Sequence, residues 1–166
     1  MTLDTDDWSH WLDAHGAALV LFASQWAANV GDAEDVVQDA FVRFWKARDR
    51  VADPKPYLFA CVRRAALDRL RSDRRRTKRE ERVARPETAD GLFQSAPEQA
   101  ERQAMIEAAL TRLPDEQRAV LVLKIWGGLT FPQIAAALDV PANTAASRYR
   151  YALARLRELL AEAKVP

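Results

Sequence analysis

The sequence predicts an all-α protein built as two small helical domains joined by a flexible linker. Three observations carry this. Only five of the 166 residues are glycine, and runs rich in Ala, Leu and Arg dominate a chain that is 49% hydrophobic, ample for real cores. Apolar residues recur at helical spacing on both sides of one charged stretch. That stretch, "SDRRRTKREERVARPETADGLFQSAPEQAE" from Ser72, has two prolines, one glycine and few large apolar residues.

Taken in order, "DDWSHWLDAHGAALVLFASQWAAN" reads as a helix whose stripe is Trp8, Trp11, Leu12, Leu19, Phe22, Ala23 and Trp26. Asp32 is the expected N-cap of "AEDVVQDAFVRFWKARDR", which has acids in its first turn and bases in its last. Val37, Phe41, Phe44 and Trp45 share one face of that helix. Asp35, Gln38, Asp39, Val42 and Lys46 fall on or near the other. Pro56 is placed to open a third helix, "YLFACVRRAALDRLRS". These helices form a first domain over 1–75, with a linker over 76–101.

The second domain, 102–166, opens with the amphipathic "AMIEAALTRL", stopped before Pro114. "PDEQRAVLVLKIW" follows and ends where Gly127 or Gly128 takes the left-handed conformation. Thr130 and Gln133 make a capping box for a short helix from Phe131 to about Leu138, with Ile134, Ala135 and Leu138 facing inward. At "DVP", Asp139 tolerates a left-handed backbone, Val140 plugs the core and Pro141 starts the last helix. That helix buries Ala145, Tyr149, Ala152 and Leu156 and turns Asn143, Thr144, Ser147, Arg148, Arg150 and Tyr151 outward. A short helix, a tight turn and a longer helix with polar residues at its start make a helix-turn-helix. Asn, Ser, Thr and Arg on the leading turns of the second helix can reach base edges and phosphates in a major groove.

The formal charge of +1 hides strong segregation. Residues 62–85 hold eleven basic side chains against four acidic ones, and residues 141–166 five against two. Two basic blocks on separate helical segments suit a polyanion touched at two places. The longest uncharged run, which begins at Gly16, is too short to span a bilayer, and the N-terminus lacks signal-peptide features. The single cysteine, Cys61, sits in an apolar stretch and is expected to be a reduced core thiol in a cytoplasmic protein.

Three ordered motifs make the chain resemble the extracytoplasmic-function (ECF) sigma factors of bacterial RNA polymerase. They are "DAEDVVQDAFVRFW" (32–45), "PYLFACVRRAALDRLR" (56–71) and "LPDEQRAVLVLKIWGGLTFPQIAAALDVPANTAASRYRYALARLR" (113–157). The resemblance implies a transcription initiation factor whose partners are core polymerase (β′ clamp and β flap), promoter DNA and an anti-sigma factor, with no membrane insertion. It implies that residues 32–46 dock on the clamp, through Asp35, Gln38, Asp39, Val42, Arg43 and Lys46. Residues 56–71 and the preceding loop then recognise and open the −10 element, through Tyr57, Arg63, Arg64, Asp68, Arg69 and Arg71. The last helix reads the −35 element through Asn143, Thr144, Ser147, Arg148, Arg150 and Tyr151. The chemistry agrees: carboxylates and an amide suit basic partner helices, and arginines neutralise phosphates. Tyr57 and Phe59 can stack on bases or pack in the core, and packing is the better fit.

The chain departs from the family pattern in places. Arg64 stands where Asn is usual and Gln133 where Glu is usual. Ala145 and Ala146 replace Val and a longer polar residue, which removes one base contact. No cofactor or metal is expected. One cysteine, two poorly aligned histidines and no glycine-rich phosphate loop argue against an enzyme. A sigma-like decoy for an anti-sigma factor would not need the intact polar residues of the last helix. A simple helix-turn-helix regulator would not need "DAEDVVQDAF".

Overall fold

The computed structural model describes residues 5–80 and 97–164, and among them every regular element is helical. The order is α1 (Thr5–Ser24), α2 (Val30–Ala47), a 3-10 turn (Arg48–Arg50), α3 (Pro54–Glu80), α4 (Pro97–Thr111), α5 (Asp115–Ile125), α6 (Phe131–Leu138) and α7 (Ala142–Ala163).

The first two helices differ from expectation at their junction. α1 stops at Ser24, whose hydroxyl donates to the Leu21 carbonyl at 2.6 Å, competing with the helical ladder. Trp26 therefore sits in the following turn, its ring edge-on to Phe22 at 5.0 Å between centroids. Asn29, not Asp32, caps α2. Its backbone is extended and its Oδ1 accepts from the Asp32 N–H at 2.8 Å. Asp32 is left in the first helical turn, where its charge still favours the positive end of the helix.

α2 buries Ala33, Val36, Ala40 and Phe44, while Val37, Phe41 and Trp45 flank that stripe half-buried. The large residues had suggested a face rotated slightly around the helix. The two alanines decide it, because small side chains let α2 approach its neighbours closely. α3 begins at Pro54 rather than Pro56, and Pro56 is buried inside its first turn. Leu58, Phe59, Cys61, Val62, Ala65 and Ala66 then pack inward, with Phe59 edge-on to Phe22 at 5.6 Å.

Of the expected linker, residues 76–80 continue α3 and residues 97–101 begin α4; its centre, 81–96, and the apolar pair Leu92 and Phe93 lie outside the described residues. α4, α5 and α7 enclose a second cluster of Ala109, Leu110, Leu113, Leu121, Ala152, Leu156 and Leu159. Arg118 reaches back from α5 to donate to the carbonyls of Thr111 and Leu113 at 3.2 and 3.4 Å. The first carbonyl is that of the last residue of α4 and the second lies in the connection to α5, where the helical ladder has ended. After α5, Gly128 takes the left-handed backbone (φ 65°), and Gly127 is held by contact. A Cβ on Gly127 would lie 2.6 Å from the Leu123 carbonyl oxygen.

The two helical units do not stand apart. α6 lies along α3, and α5 meets α1. One apolar core runs from Leu19, Phe22 and Val62 through Val120, Leu123, Leu129, Ile134 and Leu138. Gln25 Nε2 donates to the Asp115 carbonyl at 2.7 Å, and Gln133 Nε2 donates to Asp53 Oδ2 at 3.0 Å, stitching the two edges of this seam.

Candidate functional site

The helix-turn-helix is fixed by its own backbone. Thr130, in an extended conformation, accepts from the Gln133 N–H at 3.3 Å, and Gln133 Oε1 accepts from the Thr130 N–H at 2.9 Å. This is the reciprocal capping box foreseen from the sequence. Asp139 ends α6 with φ 54° and ψ 52°, the left-handed turn foreseen for it. Pro141 is the N-cap of α7 rather than its first residue, because its extended ψ of 147° cannot continue a helix.

Packing then decides which way α7 faces. Ala145, Ala152, Leu156 and Leu159 are buried, and Tyr149 is half-buried with its ring edge-on to Phe131 at 5.6 Å. Ile134 and Leu138 of α6 face inward as expected. Ala135, expected there, is only half-buried, and Ala137 takes the enclosed position at 4% exposure. The eight-residue helix is rotated so that its third inward residue follows Ile134 by three rather than one.

Opposite the buried side, Asn143, Arg150 and Tyr151 are exposed, while Thr144, Ser147 and Arg148 are half-buried at its margin. Tyr151 is 69% exposed, unusual for a large aromatic that had a core available. Arg150 lies 3.4 Å from the Ser147 hydroxyl. Arg148 is drawn back to Glu116 on α5, at 3.3 Å. Glu116 escaped the sequence reading, because its neighbour across the fold is visible only once α5 and α7 are packed.

The other expected face is on α2. Asp35, Gln38, Asp39, Val42, Arg43 and Lys46 are all exposed, with Val42 at 55%. Neighbouring side chains of α3 are tied to it. Arg69 lies 3.5 Å from both Asp32 and Asp35, and Arg43 pairs with Asp68 at 3.1 Å. Asp68 also lies 3.9 Å from Arg71. The structure thus brings together residues that the sequence had assigned to two different partners. These pairs are solvated, so each contributes at most about 1 kcal/mol and is exchangeable for another ionic partner.

Along α3, Arg64 and Arg71 are exposed and Arg63 is half-buried. Tyr57 is half-buried with its ring 6.2 Å from Phe44, and Phe59 is fully buried, so the aromatics of this helix pack rather than project. Burial pushes the Cys61 thiol up, against the weaker opposing pull of Arg64, so it stays protonated and unreactive. Among the described residues no cluster of His, Cys, Asp or Glu could hold a metal ion, and no helix is long and apolar enough to cross a membrane.

The exposed end of α7 can thus enter a groove, the α3 arginines can meet phosphates, and the acidic face of α2 can meet a basic protein surface. Comparisons with known proteins point the same way. Residues 11–76 match the Sigma-70 region 2 family and residues 103–156 the Sigma-70, region 4 family. The ECF RNA polymerase sigma factor SigL of Mycobacterium tuberculosis is 31% identical over 157 residues, spanning 90% of this chain and 86% of SigL. The RNA polymerase sigma-E factor of Streptomyces avermitilis is 34% identical over 143 residues, 86% of this chain and 79% of that one. Among solved structures, the sigma factor RpoE in complex with the anti-sigma factor NepR, from Bartonella quintana, superposes with a TM-score of 0.75 at 26% identity. That superposition covers 94% of this chain and 98% of RpoE.

Proposed function

Since the chain belongs to the ECF RNA polymerase sigma factors, we propose that its three exposed faces divide the work of promoter recognition. The protein is a transcription initiation factor and not an enzyme; the polymerase supplies the chemistry and the sigma factor supplies the address.

In this reading residues 1–75 form the unit that binds core polymerase and the −10 element, and residues 102–166 the unit that reads the −35 element, with 76–101 connecting them. The α2 face of Asp35, Gln38, Asp39, Val42, Arg43 and Lys46 docks on core polymerase. Tyr57, Arg63, Arg64, Asp68, Arg69 and Arg71 serve the −10 region. Asn143, Thr144, Ser147, Arg148, Arg150 and Tyr151 serve the −35 element. The protein works in the cytoplasm, and a partner of the anti-sigma class, as NepR is for RpoE, holds it in check.

One observation carries the assignment of the last helix. Ala145 and Ala152 are fully buried, so Asn143, Arg150 and Tyr151 are fixed outward on the leading turns of α7. The test is a pull-down with core polymerase followed by promoter binding of the resulting complex. Retention of core with specific promoter binding is expected. Retention of an anti-sigma protein without core would replace this reading with that of a decoy.

A further inference from the structure

Arg148 and Arg150 stand on the leading turns of α7, and the chain gives them different neighbours. Arg150 lies against the neutral Ser147 hydroxyl at 3.4 Å, whereas Arg148 lies 3.3 Å from the Glu116 carboxylate. Glu116 comes from the first turn of α5. Its neighbour Asp115 is engaged elsewhere, 3.6 Å from Arg118, so Glu116 is the acid of that turn that serves α7. Exposure orders the pair. The Glu116 side chain is 71% exposed and that of Arg148 only 27%, so the carboxylate lies on the solvent side of the guanidinium. An anion approaching Arg148 from solvent therefore meets Glu116 where it would itself bind. Carboxylate and phosphate take the same fork of N–H donors, and one edge of a guanidinium serves one of them at a time.

We propose that Glu116 is a built-in competitor for the phosphate that Arg148 binds, and that it sets the strength of −35 binding without altering its sequence preference. This rests on the reading of α7 given above. Glu116 itself touches no DNA; it is a positioning residue that acts through Arg148. In the free chain the guanidinium already has its anion, so docking on a phosphate must first break the ion pair. Binding is weakened by whatever the pair contributes, up to about fivefold for a solvated pair. A phosphate contact carries no base information, so the loss is the same for every sequence. The same arrangement recurs in the first unit, where Arg69 lies 3.5 Å from both Asp32 and Asp35.

The test is equilibrium binding of the chain, in complex with core polymerase, to a duplex library randomised at the −35 element, at two salt concentrations. Glu116→Gln should tighten binding about two- to fivefold across the library and leave the order of preferred sequences unchanged. The gain should shrink at the higher salt, where the solvated pair is screened. In a chain that also carries Arg148→Ala, the same substitution should have no effect, a coupling that general surface charge would not produce. Glu162, paired with Arg112 at 3.6 Å, stands about 21 Å along α7 from Arg148. Glu162→Gln removes an equal charge there and should leave binding unaltered. A Glu116→Gln chain that binds no tighter than the native one, or that tightens equally without Arg148, would overturn the competitor. Weaker binding would overturn it too, by showing that the carboxylate braces the arginine for DNA. If Arg148→Ala by itself left binding unchanged, the reading of α7 would fail first and the proposal with it.

Discussion

Arg148 of α7 and Glu116 of α5 lie 3.3 Å apart, an ion pair that pulls the arginine toward the body of the domain while Arg150, two residues on, stays exposed. The pair fixes Arg148 at the margin of the outward face. In the proposed −35 reading, Arg148 would meet a phosphate rather than a base edge from there, whereas Arg150 would follow the helix into the groove. Arg148→Ala should weaken binding to all promoters similarly and flatten the salt dependence. Arg150→Ala should relax preference at one or two positions of the −35 element, by about 1–3 kcal/mol of discrimination. Binding measured across a promoter library at two salt concentrations checks both, and a uniform loss for the two variants would reject the division.

On the α2 face, Asp39→Lys should weaken association with core polymerase and leave helicity unchanged. Asp35→Lys should do the same and also lose its contact with Arg69, at a further stability cost of no more than about 1 kcal/mol because the pair is solvated. Co-purification with core alongside circular dichroism separates the two effects. Undiminished co-purification of both variants would remove α2 as the docking helix.

Thr130→Ala removes one half of the capping box. The expected loss is about 1 kcal/mol. For a chain of this size it lowers the melting temperature by about 2–4 °C. A thermal melt of the full chain measures it.

At the turn, Asp139 carries a left-handed backbone with φ 54°. Asp139→Gly should leave stability nearly unchanged or raise it slightly, since glycine adopts this conformation freely. Asp139→Ala should cost about 1 kcal/mol, because a plain Cβ is strained there. Denaturant titration of the pair distinguishes them, and equal stabilities would mean the turn relaxes.

Much of the second unit was legible because its signals are local. The capping box at Thr130 and Gln133, the left-handed Asp139 and the polar leading turns of α7 each follow from residues within a few positions of one another. Where the sequence misled, distant or small residues decided the outcome. Asn29 took the cap from Asp32 because the chain between α1 and α2 had already turned. Ala33 and Ala40 set the buried face of α2, although alanine carries little weight in an apolar count. The ties of Arg69 to Asp35 and of Arg148 to Glu116 link helices far apart in sequence, and no periodicity reports them. The shared core of the two units is of the same kind: each apolar face was visible, but not which partner it would find.

Run-off transcription decides whether the chain directs core polymerase to promoters. Core polymerase is supplied with the chain and a template library randomised at the −35 and −10 elements, and the transcripts are sequenced. Transcripts dependent on the added chain are expected, drawn from templates sharing one pair of elements, with Arg150→Ala altering the −35 preference alone. Transcripts no more abundant or selective than those of core polymerase by itself would contradict that expectation.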